Sequence, residues 1–192
     1  MSINKKELNE KMKKWDEALQ SYTLPAWEEL PELNLYMDQV IILMNKYLSI
    51  YCENPEEDKL ITPSIINNYV KLKVIPSPIK KKYSKAHLAY LIMVCTLKQC
   101  LSISTIKSIV PLTDDEDKLK EIYEMFRQNE KSTVDLAASK LSRLITDSED
   151  TNSEKIFHEV VLKSALEANA CKLFTEKIVG ISYSEANNKE SK

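Results

Sequence analysis

Residues 62–84 read Thr62-Pro63-Ser64-Ile65-Ile66-Asn67-Asn68-Tyr69-Val70-Lys71-Leu72-Lys73-Val74-Ile75-Pro76-Ser77-Pro78-Ile79-Lys80-Lys81-Lys82-Tyr83-Ser84, and this stretch decides the fold. Thr62-Pro63 is a helix start: the hydroxyl can accept an otherwise unpaired backbone N–H, and proline at the first helical position lacks only a donor that would be wasted there. A short helix is predicted from there to about Lys73. Pro76 and Pro78 then force extended backbone, and Ile79 to Tyr83 returns with three consecutive lysines. The segment therefore predicts a short helix followed by a small extended wing. Ser84 is placed to cap the next helix.

The flanking sequence is helical. Leu8, Met12, Trp15 and Leu19 line one face of a first helix over 5–20, and Leu24-Pro25-Ala26-Trp27-Glu28-Glu29-Leu30-Pro31 reads as a strap packed on the surface, with Trp27 as a packing residue. Leu35 to Tyr51 is apolar on more than one face and predicts a largely buried helix, broken by the acidic loop from Cys52 to Asp58. Met37, Met44 and Met93 stand at positions expected to be core. Beyond Ser84, Leu88, Leu91, Ile92, Cys95 and Leu97 supply a wide apolar face up to Cys100, and a shorter helix runs from Ser104 to Val110 before Pro111. Asp114-Asp115-Glu116-Asp117 suits the positive end of a long helix reaching about Ile145. Polar residues 146–154 separate it from a last helix carrying Phe157, Val160, Val161, Ala165, Leu166, Ala168, Leu173 and Ile178. The domains expected are 1–34 (helix and strap), 35–112 (head), 113–182 (C-terminal helices) and a disordered tail, 183–192.

Charge is distributed unevenly. The chain has a formal net charge of −2, yet Leu60 to Thr113 holds no Asp or Glu and eight lysines (71, 73, 80, 81, 82, 85, 98 and 107), so this segment is +8 and the remainder −10. A folded chain that separates sign in this way builds a local field that attracts phosphate polymers or acidic surfaces.

Composition excludes several classes. With one glycine, Gly180, in 192 residues, folds rich in tight turns are disfavoured and no glycine-rich phosphate loop exists. The start of the sequence is charged, and the longest apolar run, Leu88 to Leu97, is too short to span a bilayer, so a cytoplasmic protein without membrane contact is expected. Cys52, Cys95, Cys100 and Cys171 lack metal-ligand spacing and read as buried thiols; His158-Glu159 has no second histidine one turn on. No cofactor, metal or catalytic residue is expected, and the protein is not read as an enzyme.

The order over 36–110 is helix, loop, short helix, proline wing, longer helix, short helix. That is what a winged helix-turn-helix requires, with the second helix entering the major groove of double-stranded DNA and the wing lying along the phosphates. Ser64, Asn67, Asn68 and Lys71 are the candidate base-edge contacts; Lys73 can reach guanine or phosphate, and Lys80, Lys81 and Lys82 can neutralise backbone charge. Tyr69 is expected to pack inward.

The segment 62–110 resembles the MerR-like winged helix. In that family the recognition helix carries Thr-Leu-Arg-Tyr-Tyr, then Gly-Leu and a proline, then a wing ending in Arg-Tyr; the matching positions here are Ile65-Ile66-Asn67-Asn68-Tyr69, Lys73-Val74 and Pro76, and Lys82-Tyr83. Asn67 stands for the arginine, Asn68 for the first tyrosine and Lys73 for the glycine. The resemblance implies a DNA-binding role for Tyr83 as well. A closer likeness, over roughly 24–112, is to an uncharacterised bacterial family catalogued as domain of unknown function 1836. It is carried by Leu24 to Pro31, by Leu35-Tyr36-Met37-Asp38-Gln39-Val40, and by Ile66-Asn67-Asn68-Tyr69-Val70-Lys71.

The expectation is thus an all-α protein with a MerR-like winged helix-turn-helix head and additional N- and C-terminal helices, acting as a sequence-specific transcriptional regulator. Val134, Ala137, Leu141, Leu144 and Ile145 can close a hairpin with the last helix and bury apolar surface in a homodimer, or hold a small-molecule or protein effector. The rival is a non-catalytic adaptor whose basic face holds an acidic partner.

Overall fold

In the computed structural model the described residues are 5–52, 60–147 and 153–190; most of the acidic loop and the middle of the polar 146–154 segment lie outside them. The chain is mostly helical, with two short strands among the described residues. It divides into two compact units, one of residues 24–128 with 181–192 and one of 1–23 with 129–180. The strap, the 35–112 segment and the residues up to 128 fall in the same unit.

In the unit built on 24–128, β1 (Leu35–Tyr36) leads into α2 (Met37–Tyr47), followed by α3 (Pro63–Lys71), β2 (Lys82–Tyr83), α4 (Lys85–Leu97) and α5 (Ile103–Ile109), and the unit takes in the start of α6 (Glu116–Asp147). Helix α4 is the core. Its residues from His87 to Cys95 are all buried, as expected of a helix apolar on every side. The unit's buried side chains also include Val40, Met44 and Leu48, then Ile66 and Tyr69 of α3, Val74 and Ile75, Ile106 of α5, and Leu119 and Tyr123 of α6. Helix α2 packs against α3, α4, β1 and β2, and so holds both outward elements of the head.

The segment Leu35 to Tyr51 departs from the single buried helix expected. Leu35 and Tyr36 pair antiparallel with Tyr83 and Lys82, which removes them from the helix, and a 3-10 turn, Ser49–Tyr51, ends the segment. Only Val40 and Met44 of α2 are buried, while Ile42 is 73% exposed. Met37 is half-buried; Met44 and Met93 are core.

The strap packs as expected. Leu24, Trp27 and Leu30 are buried, the Tyr123 hydroxyl donates to the Pro25 carbonyl (2.8 Å), and the Trp27 backbone N–H donates to Glu124 Oε1 (2.7 Å). Trp27 meets Tyr123 edge-on at 6.0 Å, and Lys85 Nζ stands 5.2 Å from the centre of the Trp27 ring.

The second unit contains α1 (Lys5–Ser21), α6 from residue 129, and α7 (Ser153–Glu190) to residue 180. Its buried apolar side chains are Met12 and Leu19 of α1 and Ala138, Leu141 and Leu144 of α6. Trp15, expected on the buried face of α1, is 54% exposed, because burial follows the narrow Met12–Leu19 stripe two turns long. Ser142 Oγ donates to Asp16 Oδ1 (2.9 Å), and Lys140 pairs with Glu167. No described side chain of α7 is buried. That helix runs on to Glu190. Of the cysteines read as buried, Cys95 is buried, Cys52 is half-buried, and Cys100 and Cys171 are exposed. Among the described residues no helix is long and apolar enough to cross a membrane, and no cluster of metal-ligating side chains occurs.

Candidate nucleic-acid interface

Helix α3 is fixed at its start by Thr62, whose Oγ1 accepts the Ile65 N–H (3.3 Å), with Pro63 inside the first turn. Ile66 and Tyr69 turn inward. Ser64, Asn67, Asn68 and Lys71 are all exposed, and at spacings of three, one and three residues they occupy a single arc about 100° wide on the opposite side. The four candidate base-edge residues are therefore presented together on one face. Tyr69 is 7% exposed and belongs to the core, and that burial pushes its hydroxyl pKa up to about 12.

The end of α3 is a complete Schellman motif. The Val74 N–H donates to the Tyr69 carbonyl and the Lys73 N–H to the Val70 carbonyl, both at 2.9 Å, with Lys73 in the left-handed region at φ 53°. Buried Val74 and Ile75 then anchor the chain before it turns outward. At the tip, Ile79 and Lys82 exchange both backbone hydrogen bonds (3.1 and 3.0 Å) around a two-residue turn whose central residues, Lys80 and Lys81, have φ of 51° and 63°. Positive φ at both positions is the requirement of a type I′ hairpin, a turn that ordinarily selects Asn-Gly.

The base of this hairpin is closed by His87, a residue the sequence reading passed over. Its Nδ1 accepts the Ser84 N–H (3.0 Å), with Ser84 Oγ 2.8 Å from the same atom, so the ring proton sits on Nε2, which donates to the Ser77 carbonyl (3.2 Å). Burial lowers the imidazole pKa below its ordinary value. The Ser84-x-x-His87 spacing, with the third helical residue reaching back to the cap, was the available signal.

Lys71, Lys73, Lys80 and Lys81 are exposed, and among the described residues no carboxylate lies within ion-pair distance of any of them. Lys82 is partly covered and stands over the Tyr36 ring, 5.1 Å from its centre. Two residues of the acid-free segment face elsewhere. Lys85 is buried and paired with Glu32, so its charge is neutralised locally. Tyr83 corrects the expectation drawn from the resemblance: it is 2% exposed, with its ring edge-on to His87 at 5.5 Å, because β2 turns it to the inner side of the ribbon. A buried phenol cannot touch DNA.

The family described as Domain of unknown function (DUF1836) matches residues 25–126, more than half of the 192-residue chain. The chain belongs to that family. The matched segment nearly coincides with the 24–128 portion of the first unit, which in this chain holds the strap, α4, and α3 with its hairpin. No curated protein and no solved structure matches the chain.

Proposed function

We propose that this protein is a sequence-specific DNA-binding transcriptional regulator whose 35–112 segment is a MerR-like winged helix-turn-helix. Helix α3 is the recognition helix, the Ile79–Lys82 hairpin is the wing, and α2 supports both. Ser64, Asn67, Asn68 and Lys71 meet base edges in the major groove, while Lys73, Lys80, Lys81 and Lys82 position the head on phosphates.

The observation that carries this reading is the identity of the left-handed residues. The non-glycine residues at positive φ among those described are Lys73, Lys80 and Lys81. Each sits in a turn where glycine or asparagine is the relaxed choice, and an ordinary side chain there costs about 1 kcal/mol or more. A lysine held three times at such a place, exposed and without a carboxylate partner among the described residues, is accounted for by what its ammonium group binds. Lys73, which stands where the MerR pattern has glycine, adopts a left-handed conformation that glycine tolerates most readily.

A homodimer built on α7 completes the reading, because one small head spans too few base pairs to select a site and a two-fold pair doubles the footprint. Val161, Leu162, Leu166, Leu173, Phe174 and Ile178 are each at least half exposed along that helix. The deciding experiment is selection of bound fragments from a random duplex pool with the full chain. Enrichment of one motif is expected; binding with no preferred sequence would favour an adaptor that holds an acidic partner.

A further inference from the structure

The hairpin and β1 form a narrow ribbon of three adjacent chain segments, in which Lys82 is registered opposite Tyr36 on one side and opposite Ile79 on the other. Directly opposed residues of antiparallel strands project to the same side, so Tyr36, Lys82 and Ile79 form one row. The stacking of Lys82 over Tyr36 bears this out for the first pair. Tyr83, the next residue along β2, turns to the inner side and is buried, as the alternation of a strand requires. The ribbon thus has an inner face that belongs to the core and an outer face carrying an aromatic, a cation and an aliphatic side chain.

That outer face is open. Tyr36 is 56% exposed and Ile79, at the shoulder of the turn, is 74% exposed. Ile79 gains little from its own chain, and it stands next to two lysines whose backbone is held in an unfavourable conformation. A branched aliphatic tip flanked by exposed cations with no ion-pair partner among the described residues has one well-matched occupant. The minor groove of duplex DNA is about 6 Å wide, enough for a single aliphatic side chain, and its rims are phosphates. Charge complementarity therefore favours duplex DNA over an apolar protein surface, which would leave the lysines desolvated and unpaired.

We infer that Ile79 is an apolar wedge that enters the minor groove and partly unstacks one base step, while Lys80 and Lys81 hold the flanking phosphates and Tyr36 lies against the sugars. This rests on the DNA-binding reading and goes beyond it. The wing becomes a deforming element, and the site gains a preference for an easily unstacked step that no side chain reads by hydrogen bonding.

The test uses the full chain and a duplex recovered from the random pool, with 2-aminopurine placed at each base step in turn and a donor–acceptor dye pair at the duplex ends. The native protein is expected to raise the fluorescence of one step and to bend the duplex. Ile79→Ala should abolish both signals and weaken binding about tenfold without changing the salt dependence, because no charge is removed. Ile79→Leu should retain both signals. An exposed position makes misfolding of either variant a small risk, and an unchanged thermal melt checks it. If Ile79→Ala bends and brightens the duplex as the native protein does, the wedge is overturned while the regulator reading stands. If the native protein binds no duplex, or prefers an acidic peptide or anionic vesicles, both fall.

Discussion

The Nε2 atom of His87 donates to the Ser77 carbonyl, at 3.2 Å, while Nδ1 of the same ring receives the Ser84 N–H. One neutral imidazole thereby joins the two ends of the hairpin that carries Lys80, Lys81 and Lys82. Protonation of Nδ1 would replace its acceptor with a donor facing the Ser84 N–H, so the clasp exists in the neutral form only.

Stability should therefore depend on pH through His87. Its folded pKa lies below the ordinary 6.5, because burial disfavours the charged ring. The unfolded chain then takes up the proton first, and stability present at neutral pH is lost as pH falls below 6.5 toward the folded value. Urea denaturation at pH 7.5 and 5.5 should show the lower midpoint at 5.5, with the difference reduced in His87→Gln. An imidazole titration by NMR that places His87 at or above 6.5 would refute the assignment.

Lys73 should trade stability for contact. Replacing it by glycine relieves the left-handed strain at φ 53° and adds unfolded-state entropy, a balance expected to leave the variant about 0.5–1 kcal/mol more stable. The pair Lys80→Asn with Lys81→Gly should behave likewise at the hairpin turn. Both changes should weaken binding to duplex DNA. A variant that is less stable, or that binds as tightly as the native chain, would count against strain retained for function.

How much of this was legible in the sequence depends on the range of the forces involved. The start of α3 is written in Thr62-Pro63, because a cap and a first-turn proline act within one helical turn. The arc of Ser64, Asn67, Asn68 and Lys71 follows from the same helical period. The strand at Leu35–Tyr36 was hidden, since two residues become a strand only by pairing with Lys82–Tyr83 far along the chain. The exposure of Trp15, and of Ile42 within the 35–51 stretch, has a related reason: an apolar side chain shows where burial is possible, and the neighbouring elements decide where it occurs. The turns at Lys73 and Lys80-Lys81 carry none of the glycine or asparagine that normally marks them, so their left-handed backbone left no trace in residue type.

Salt should report the phosphate contacts one by one. For a chain that binds duplex DNA through counterion release, the logarithm of affinity falls linearly with the logarithm of salt, and each phosphate contact contributes about 0.9 to the slope. Lys81→Ala should reduce the slope by about one per protomer bound and weaken all sequences about equally, whereas Asn68→Ala should leave the slope alone and relax preference at one base pair. Fluorescence anisotropy titrations between 50 mM and 200 mM salt, the range over which such contacts lose most of their affinity, separate the two. A slope unchanged in Lys81→Ala would remove that lysine from the interface.

Self-association should depend on α7 alone. Its exposed side chains include Leu162, Leu166 and Leu173, spaced so that they line one side of the helix, and none of the three is more than half covered. A stable interface needs about 800 Å² from each partner with an apolar centre, which a stripe of large side chains along a helix of this length can supply. Leu166→Asp places a charge in the middle of that stripe, where desolvating it without a partner would cost several kcal/mol. Sedimentation equilibrium should show a dimer for the native chain and a monomer for this variant, while far-ultraviolet circular dichroism stays unchanged because Leu166 is 60% exposed. Leu166→Met, which keeps volume and polarity, should remain dimeric. The monomeric variant should also bind a two-half-site duplex far more weakly than the native protein, and bind a single half-site equally well. A dimer that survives Leu166→Asp would place the interface elsewhere and leave the exposed side of α7 for an effector.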